Sequence, residues 1–368
     1  LERYSAERGL TVNLTKTEVM LLAGADSEEG ALRSVRRAKL TYGGKRLEGT
    51  TQFKYLGIVF HCTQPLGESA SACRAAVARF AAATFEGRCA ELGLEAARLL
   101  LMLYSQMVDS TLSYAAAVWA PALALTAATR PVVGGSGLSA AELQHSRTLR
   151  RLLGLPTRTP IATILAEAGE PPLFISWLVR AARFWSTVVS APEGGLMQQV
   201  LDASLQMTAE CQGMPPAQMP WAAQLQRAMA AAGVAFDPQQ RAPLCPADVR
   251  QAALTRYLQR VAAAAAPEAG HTRLHHYFVR VRPSCLTPDT YSRAAYVDEV
   301  RQRQRRLGLA ELRSGAHWGL EERERMLGRA MRPRAERHCQ HCQSAGRPDL
   351  VEDTHHMIFH CVLYDDLR

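Results

Sequence analysis

The sequence predicts an α+β protein in which a small β-containing segment precedes a long, mostly α-helical body and a small metal-binding unit. Three observations predict this order. Strand and hairpin patterns fall within about the first 60 residues, apolar residues recur at helical spacing from about residue 70 to residue 265, and cysteines and histidines cluster at the end. The predicted segments are residues 1–66, 67–131, 138–300 and 301–368.

The composition is that of a folded protein with an excess of positive charge. The 368 residues are 48% hydrophobic, which is enough for more than one core. No apolar run reaches the roughly 18 residues of a spanning helix, and the first residues do not resemble a signal peptide. We therefore expect an intracellular protein, nuclear or cytoplasmic or both, with no membrane partner.

The net charge of +9 favours polyanionic partners. Nine cysteines without a secretory signal favour free thiols and a metal site over disulfides.

The first segment carries short strand patterns. Residues 19–23 are an apolar strand candidate, and Gly43 with Gly44 predicts a tight turn within a hairpin at residues 40–47, because glycine tolerates the positive φ of such turns. Residues 53–60 are apolar and aromatic enough for one further strand.

The long body is predicted to consist of helices that are separated by glycine and proline residues. Residues 70–92 and 96–119 carry apolar residues at helical spacing, and Pro121 is expected to end the second helix. A glycine-rich stretch at residues 132–137 predicts a loop. The same spacing predicts further helices at residues 138–153, at residues 173–189 and, in shorter pieces, up to about residue 265.

The strongest chemical signal is a group of cysteines and histidines near the end of the sequence. Cys339 and Cys342 are separated by two residues, so both can reach one tetrahedral ion from a tight turn. His356 and Cys361, separated by four residues, can close the site. Four ligands with no open position indicate structural zinc, whose binding folds a unit too small for its own core. The alternatives for the third and fourth ligands are His341, His355 and His360.

Two stretches of the first segment resemble motifs of retroelement reverse transcriptases. Residues 9–20, Gly-Leu-Thr-Val-Asn-Leu-Thr-Lys-Thr-Glu-Val-Met, resemble motif D, and residues 53–57, Phe-Lys-Tyr-Leu-Gly, resemble motif E, the primer grip. The resemblance implies auxiliary roles for Asn13 and Lys16, with Lys16 near the incoming triphosphate as charge stabiliser or proton donor. The residues that it implies for the primer grip are Tyr55, Leu56 and Gly57.

The rest of the chain resembles the reverse transcriptases of LINE-type (non-LTR) retrotransposons in particular. Residues 100–121 resemble the thumb helix that ends in a tryptophan, and residues 150–156 begin a pattern similar to the segment after the thumb. Residues 312–318 and the Cys/His group resemble the terminal zinc-knuckle region. Val362 departs from the family, which usually has proline after the last cysteine.

This resemblance implies a role for each predicted segment. Residues 1–66 would be the end of the polymerase palm, residues 67–131 a thumb, residues 138–300 a helical linker, and residues 301–368 an arginine-rich segment with a zinc knuckle. We expect the catalytic aspartates, which hold two Mg²⁺ ions in such enzymes, to lie before Leu1. The chain alone is then expected to be inactive, with Mg²⁺ only in the intact parent enzyme. The implied partners are an RNA template and a DNA primer or target.

Residues 301–337 are dense in arginine. The segment contains eleven arginines and five glutamates, and this excess of positive charge accounts for most of the net charge of the chain. Arginine neutralises phosphates and aromatic side chains stack on bases, so the segment predicts contacts with single-stranded or structured nucleic acid. The alternative is a solvated helix face with glutamate–arginine pairs. The candidate contacts are Arg301, Arg303, Arg305, Arg306, Arg313, Trp318, Arg332, Arg334 and Arg337.

Three functions follow from these patterns. The first, which we predict, is a C-terminal fragment of an RNA-directed DNA polymerase that keeps substrate contacts but lacks the catalytic aspartates. The second is a stand-alone nucleic-acid-binding zinc protein derived from a decayed element. The third is a helical scaffold with an incidental zinc site. Salt-sensitive binding of nucleic acid separates the first two from the third.

Overall fold

A computed structural model describes residues 2–22, 27–133, 136–208, 210–211, 213–315, 333, 336–352 and 354–363. This part of the chain is mostly helical with a few short strands, as the sequence predicted. The strands are β1 (Glu18–Val19), β2 (Thr41–Tyr42), β3 (Lys45–Arg46), β4 (Glu48–Gly49), β5 (Gln52–Tyr55) and β6 (Ile58–His61). The α-helices are α1 (Glu2–Glu7), α2 (Glu28–Ala38), α3 (Leu66–Glu91), α4 (Ala97–Tyr104), α5 (Ser110–Leu112), α6 (Ala116–Trp119), α7 (Pro121–Thr129), α8 (Ala140–Leu153), α9 (Ile161–Ala168), α10 (Leu173–Val189), α11 (Leu196–Thr208), α12 (Trp221–Ala231), α13 (Pro246–Ala265), α14 (Thr272–His275), α15 (Ala295–Glu299), α16 (Arg303–Arg313), α17 (Gln340–Ser344) and α18 (Thr354–Phe359). Two π-helical turns lie at Ser105–Asp109 and His276–Val281.

The strands of the described residues form three separate pairs rather than one sheet. β1 pairs with β4 in parallel, whereas β2–β3 and β5–β6 are antiparallel hairpins. The predicted turn is confirmed, because Gly43 and Gly44 have φ of 56° and 74° between β2 and β3. Of the strand predicted at residues 19–23, the described residues contribute only Val19, in β1.

The stretch predicted as one strand at residues 53–60 is a hairpin. β5 and β6 pair up to Tyr55 and Ile58, which leaves Leu56 and Gly57 as a two-residue turn. Both turn residues have positive φ, 47° for Leu56 and 80° for Gly57, as the twist of a tight antiparallel hairpin requires. The prediction of a single strand was wrong because leucine carries no turn signal and the apolar run therefore reads as continuous.

The helix predicted at residues 70–92 is confirmed as α3, but the one predicted at residues 96–119 is interrupted. α4 passes into a π-helical turn, and Ala115 has φ of 53° before α6 begins. The Trp119 indole N–H donates to the Tyr114 carbonyl at 2.8 Å, which holds this break in place. Pro121 begins α7 directly afterwards, since proline fits the first turn of a helix.

One buried cluster contains most of the apolar side chains of the body. It extends from Ile58 to Ala310, and its centre holds Trp119 against Trp177 with ring centroids 5.3 Å apart. α3 packs on α8, α7 on α12, and α10 on α13. Residues from 67–131 and 138–300 both contribute to this core, and their division into a thumb and a linker stays a prediction.

An ion pair between a half-buried arginine and a fully buried glutamate joins α16 to this core. Glu167 in α9 is fully buried, and its carboxylate accepts from Arg313 Nε at 3.1 Å and Arg313 Nη2 at 2.9 Å. The Tyr277 hydroxyl donates to the same carboxylate. The Arg313 guanidinium also lies over the Tyr296 ring, 5.1 Å from its centroid. The beginning of the arginine-rich segment is thereby fixed to the helical body.

A second carboxyl group in the body should make stability depend on pH. Burial raises the pKa of Glu170 to about 7, and the nearby Asp109 adds to the shift. The folded protein then holds a proton that the unfolded chain has released, so the free energy of unfolding should fall as pH rises from 4.5 to about 7. We expect Glu170→Gln to remove this decline, as measured by urea unfolding across that range. An unchanged slope would contradict this assignment.

Candidate metal centre and basic surface

Four ligand atoms near the end of the chain converge. The Sγ atoms of Cys339, Cys342 and Cys361 and a ring nitrogen of His356 all lie within 4.8 Å of one another, and all four residues are buried. Cys339 Sγ is 3.7 Å from Cys361 Sγ, and Cys342 Sγ is 3.4 Å from His356 Nε2. Zinc bonds of about 2.3 Å to sulfur and about 2.0 Å to nitrogen place tetrahedral ligands roughly 3.5–3.8 Å apart. The cluster is compatible with a closed, structural zinc site.

Backbone hydrogen bonds position the first two ligands. The Cys339 N–H donates to the Leu350 carbonyl at 2.9 Å, next to an isolated antiparallel bridge. α17 begins after Cys339 and carries Cys342 less than one turn later, so both thiols lie on the same side. The Arg347 N–H returns to the Cys342 carbonyl at 2.8 Å and closes the turn. This local geometry is the physical reason for the two-residue spacing.

The histidine ligand is the one that the spacing predicted. His356 lies in α18, and the Cys361 N–H donates to the His356 carbonyl at 2.8 Å, which returns the last cysteine to the cluster. His341 and His360 are exposed, and the side chain of His355 lies outside the described residues. The predicted set of four is therefore confirmed as one buried cluster, and the two described alternatives are not part of it.

Burial raises the pKa of the Cys339 thiol. Without a cation this thiol stays protonated at neutral pH. Zinc binds the thiolate, so loading the cluster requires that the ion displace the proton.

No second group of this kind occurs in the part of the chain that the structure describes. The Cys/His cluster is the only set there with three or more converging ligand atoms from His, Cys, Asp or Glu. The described residues thus contain no group of three carboxylates arranged to hold Mg²⁺ for polymerisation.

Asn13 and Lys16 lie on an exposed turn before β1. The Asn13 side-chain oxygen accepts from the Thr15 N–H at 3.1 Å and from its hydroxyl at 2.7 Å. The Lys16 N–H donates to the Asn13 carbonyl at 3.1 Å. Asparagine thus shapes the turn through its own side chain, and Lys16 is presented to solvent. The role of Lys16 beside a triphosphate stays a prediction.

Tyr55, Leu56 and Gly57 form the tip of the β5–β6 hairpin. Tyr55 is 57% exposed and Leu56 is 71% exposed. Arg74 of α3 donates to the Gly57 carbonyl at 3.3 Å, and its guanidinium lies over the Tyr114 ring, 4.9 Å from the centroid. The tip is an exposed apolar surface fixed to the helical body. Its assignment as a primer grip stays a prediction.

Three of the predicted nucleic-acid contacts lie together on the surface. Arg301, Arg303 and Arg305 are exposed around the beginning of α16. The first turn of this helix contains no acidic residue. Cations at this end oppose the partial positive charge of the helix N-terminus and cost stability. Their position therefore does not serve the helix itself, which favours a role in binding an external anion.

The other predicted contacts are placed differently. Arg306 is buried and donates to three backbone carbonyls, among them those of Val300 and Glu95, while Arg313 binds Glu167. A phosphate contact by either arginine would first have to break these bonds. Arg337 is half-buried and adjoins the Cys/His cluster in sequence. The predicted contacts outside the described residues are Trp318, Arg332 and Arg334.

Among the described residues, no helix has both the length and the apolar character needed to cross a membrane. Comparison of the chain with protein-family models, with curated proteins and with solved structures finds no match.

Proposed function

We propose that this chain is a nucleic-acid-binding part of a LINE-type retrotransposon reverse transcriptase, in which zinc folds the C-terminal unit that follows an arginine-rich segment in the sequence. The observation that carries the proposal is the buried cluster of three cysteines and one histidine, whose ligand atoms all lie within 4.8 Å of one another. The order of the motifs along the sequence supports the family, and the exposed arginines support the ligand.

The zinc ion would have a structural task. Cys339, Cys342, His356 and Cys361 would occupy all four positions, so no site stays open for water or substrate. The ion supplies the free energy that folds a unit with only a small apolar cluster around its cysteines. Zinc would assist binding by ordering the unit that directly follows the arginine-rich segment in the sequence.

The binding surface that we assign to nucleic acid begins with Arg301, Arg303 and Arg305. Guanidinium groups form charge-assisted hydrogen bonds with phosphate oxygens, and binding releases counterions from the strand. Each phosphate contact contributes roughly 0.7–0.9 to the slope of log K against log salt concentration. The buried Arg306 helps to hold this arginine group in place through its bonds to the backbone.

Replacing Arg301, Arg303 and Arg305 together by glutamine should weaken the binding of single-stranded RNA. We expect the salt slope to fall by about 2–3, because up to three phosphate contacts are lost. Fluorescence anisotropy of a labelled oligonucleotide, measured with the zinc-loaded chain over a range of salt concentrations, gives the slope directly.

A control triple variant removes the same charge elsewhere. Arg33, Arg37 and Arg256 are exposed in α2 and α13, and their replacement by glutamine should change the slope much less. Equal loss in both triple variants would mean that only net charge matters and would contradict a local binding surface. Absence of salt-dependent binding in the wild type would favour the helical scaffold.

The retroelement origin has its own test, the coding sequence upstream of Leu1. An in-frame Tyr-x-Asp-Asp shortly before Leu1 would make the chain the end of a polymerase, with Lys16 in motif D. A reading frame that starts near Leu1 would exclude polymerisation and leave a stand-alone nucleic-acid-binding zinc protein.

A further inference from the structure

Three arginines of the helical body line one small cavity. The cavity has a volume of about 130 Å³ and is bordered by Arg180 and Arg183 of α10 and by Arg250 of α13. The Ser176 hydroxyl group borders it as well. The predicted primer grip, arginine-rich segment and zinc unit do not include these residues.

The packing of two helices builds the cavity. Ser176, Arg180 and Arg183 follow one another at intervals of four and three residues, so they share one face of α10. Arg250 comes from the beginning of α13, which packs on α10. The edge-to-face contact of Phe174 and Tyr257, with centroids 6.5 Å apart, belongs to the same helix pair. Helical spacing in the sequence could have found the first three residues, whereas Arg250 joins them only in the folded chain.

The charges of these arginines are only partly compensated. Within the described residues, none of the three side chains has an ion pair or hydrogen bond. The acidic groups nearby are Asp109, which faces Arg180, and Glu170, which faces Arg250 and also Arg293. Burial raises the pKa of both carboxyl groups, so they balance the arginines incompletely.

We propose that Arg180, Arg183 and Arg250 bind a phosphate group. Guanidinium groups present paired donors that match phosphate oxygens, and three arginines line this one cavity together with Ser176. A cavity of about 130 Å³ has room for a phosphate group. The phosphate belongs either to the backbone of a nucleic-acid strand or to a small phosphate compound.

Isothermal titration of the zinc-loaded chain with inorganic phosphate, at constant ionic strength, tests the proposal. We expect saturable binding at one site and an affinity about tenfold lower in Arg183→Gln and in Arg250→Gln, since each loses a charge-assisted hydrogen bond. Both side chains are exposed, so the variants should keep the circular dichroism spectrum of the wild type. Arg256→Gln, exposed on the same helix as Arg250 but outside the cavity, should bind phosphate as the wild type does.

Competition identifies the source of the phosphate. Displacement of inorganic phosphate by a single-stranded oligonucleotide without terminal phosphates would support a strand backbone, and its failure to compete would support a small phosphate compound. Absence of saturable phosphate binding, equal affinity in all variants, or preference for an acidic peptide would overturn the proposal. These outcomes do not depend on Arg301, Arg303 or Arg305. The phosphate site and the proposed nucleic-acid-binding function can therefore be supported or contradicted independently.

Discussion

Replacing Cys342 with serine should abolish zinc binding and unfold the C-terminal unit, while the helical body stays folded. Cys342 is buried in the cluster, and its thiol lies 3.4 Å from His356 Nε2, so the unit would lose one of four ligands. Structural zinc supplies about 10–16 kcal/mol of apparent binding free energy to small units. Few apolar side chains pack around these cysteines, so the remaining contacts should not hold the fold.

Two measurements check this expectation. The zinc content should fall from one ion per chain to none, and amide protection should disappear from residues 337–363 but persist in the body, whose core is separate. Chelation of zinc from the wild type should have the same effect. Cys245→Ser is the matched control, because this cysteine is exposed and lies outside the cluster. Stoichiometric zinc in Cys342→Ser would contradict the assigned ligand set.

The choice of histidine can be checked in the same way. His356→Asn should lose zinc, whereas His341→Asn and His360→Asn should keep it, because His356 is buried among the thiols and the other two are exposed. Zinc retained by His356→Asn would mean that another side chain completes the site.

Replacing Glu167 with alanine should destabilise the helical body by about 3–5 kcal/mol, the usual effect of breaking a buried ion pair. The carboxylate is fully buried and binds Arg313 through two nitrogens. Its removal leaves the guanidinium and the Tyr277 hydroxyl without this partner. The cost of a buried charge without its counter-ion is larger than the net contribution of the pair itself. Urea unfolding of the wild type and the variant at neutral pH measures the difference.

Two further variants separate this effect from ordinary loss of charge. Asp202→Asn removes an exposed ion pair with Arg241 and should change the free energy of unfolding by less than about 1 kcal/mol. Glu167→Leu combined with Arg313→Met should be more stable than either single replacement, because no unpaired charge stays buried. A cost for Glu167→Ala no larger than that of Asp202→Asn would show that the buried pair contributes little.

The Cys/His cluster was partly predictable because its first two cysteines are close in the sequence. Cys339 and Cys342 lie within one turn of chain, so their spacing alone brings the two thiols together. The histidine of the cluster comes from α18, and three histidines lie within six residues in and just after this helix, so spacing could only rank them. Burial of His356 and exposure of His360 decide between these two.

For the basic surface, the sequence could not predict which arginines are exposed. Arg305 and Arg306 are neighbours in sequence and equivalent in charge, yet Arg305 is exposed and Arg306 is buried with its guanidinium bound to backbone carbonyls. Which side of α16 faces the body depends on where α16 packs, and composition carries no information about that. The same holds for Arg250, whose place beside Arg180 depends on the packing of α13 on α10.

The sequence by itself determined the mostly helical body, the glycine hairpin and the closeness of Cys339 to Cys342, because each follows from contacts between residues a few positions apart. Only the tertiary structure decided the turn at Leu56 and Gly57, the pairing of Glu167 with Arg313 and the grouping of arginines around one cavity. These features join residues that are distant in sequence or depend on a backbone conformation that the residue type does not require. Their free energy comes from burial and from satisfying polar groups, and both are properties of the folded chain.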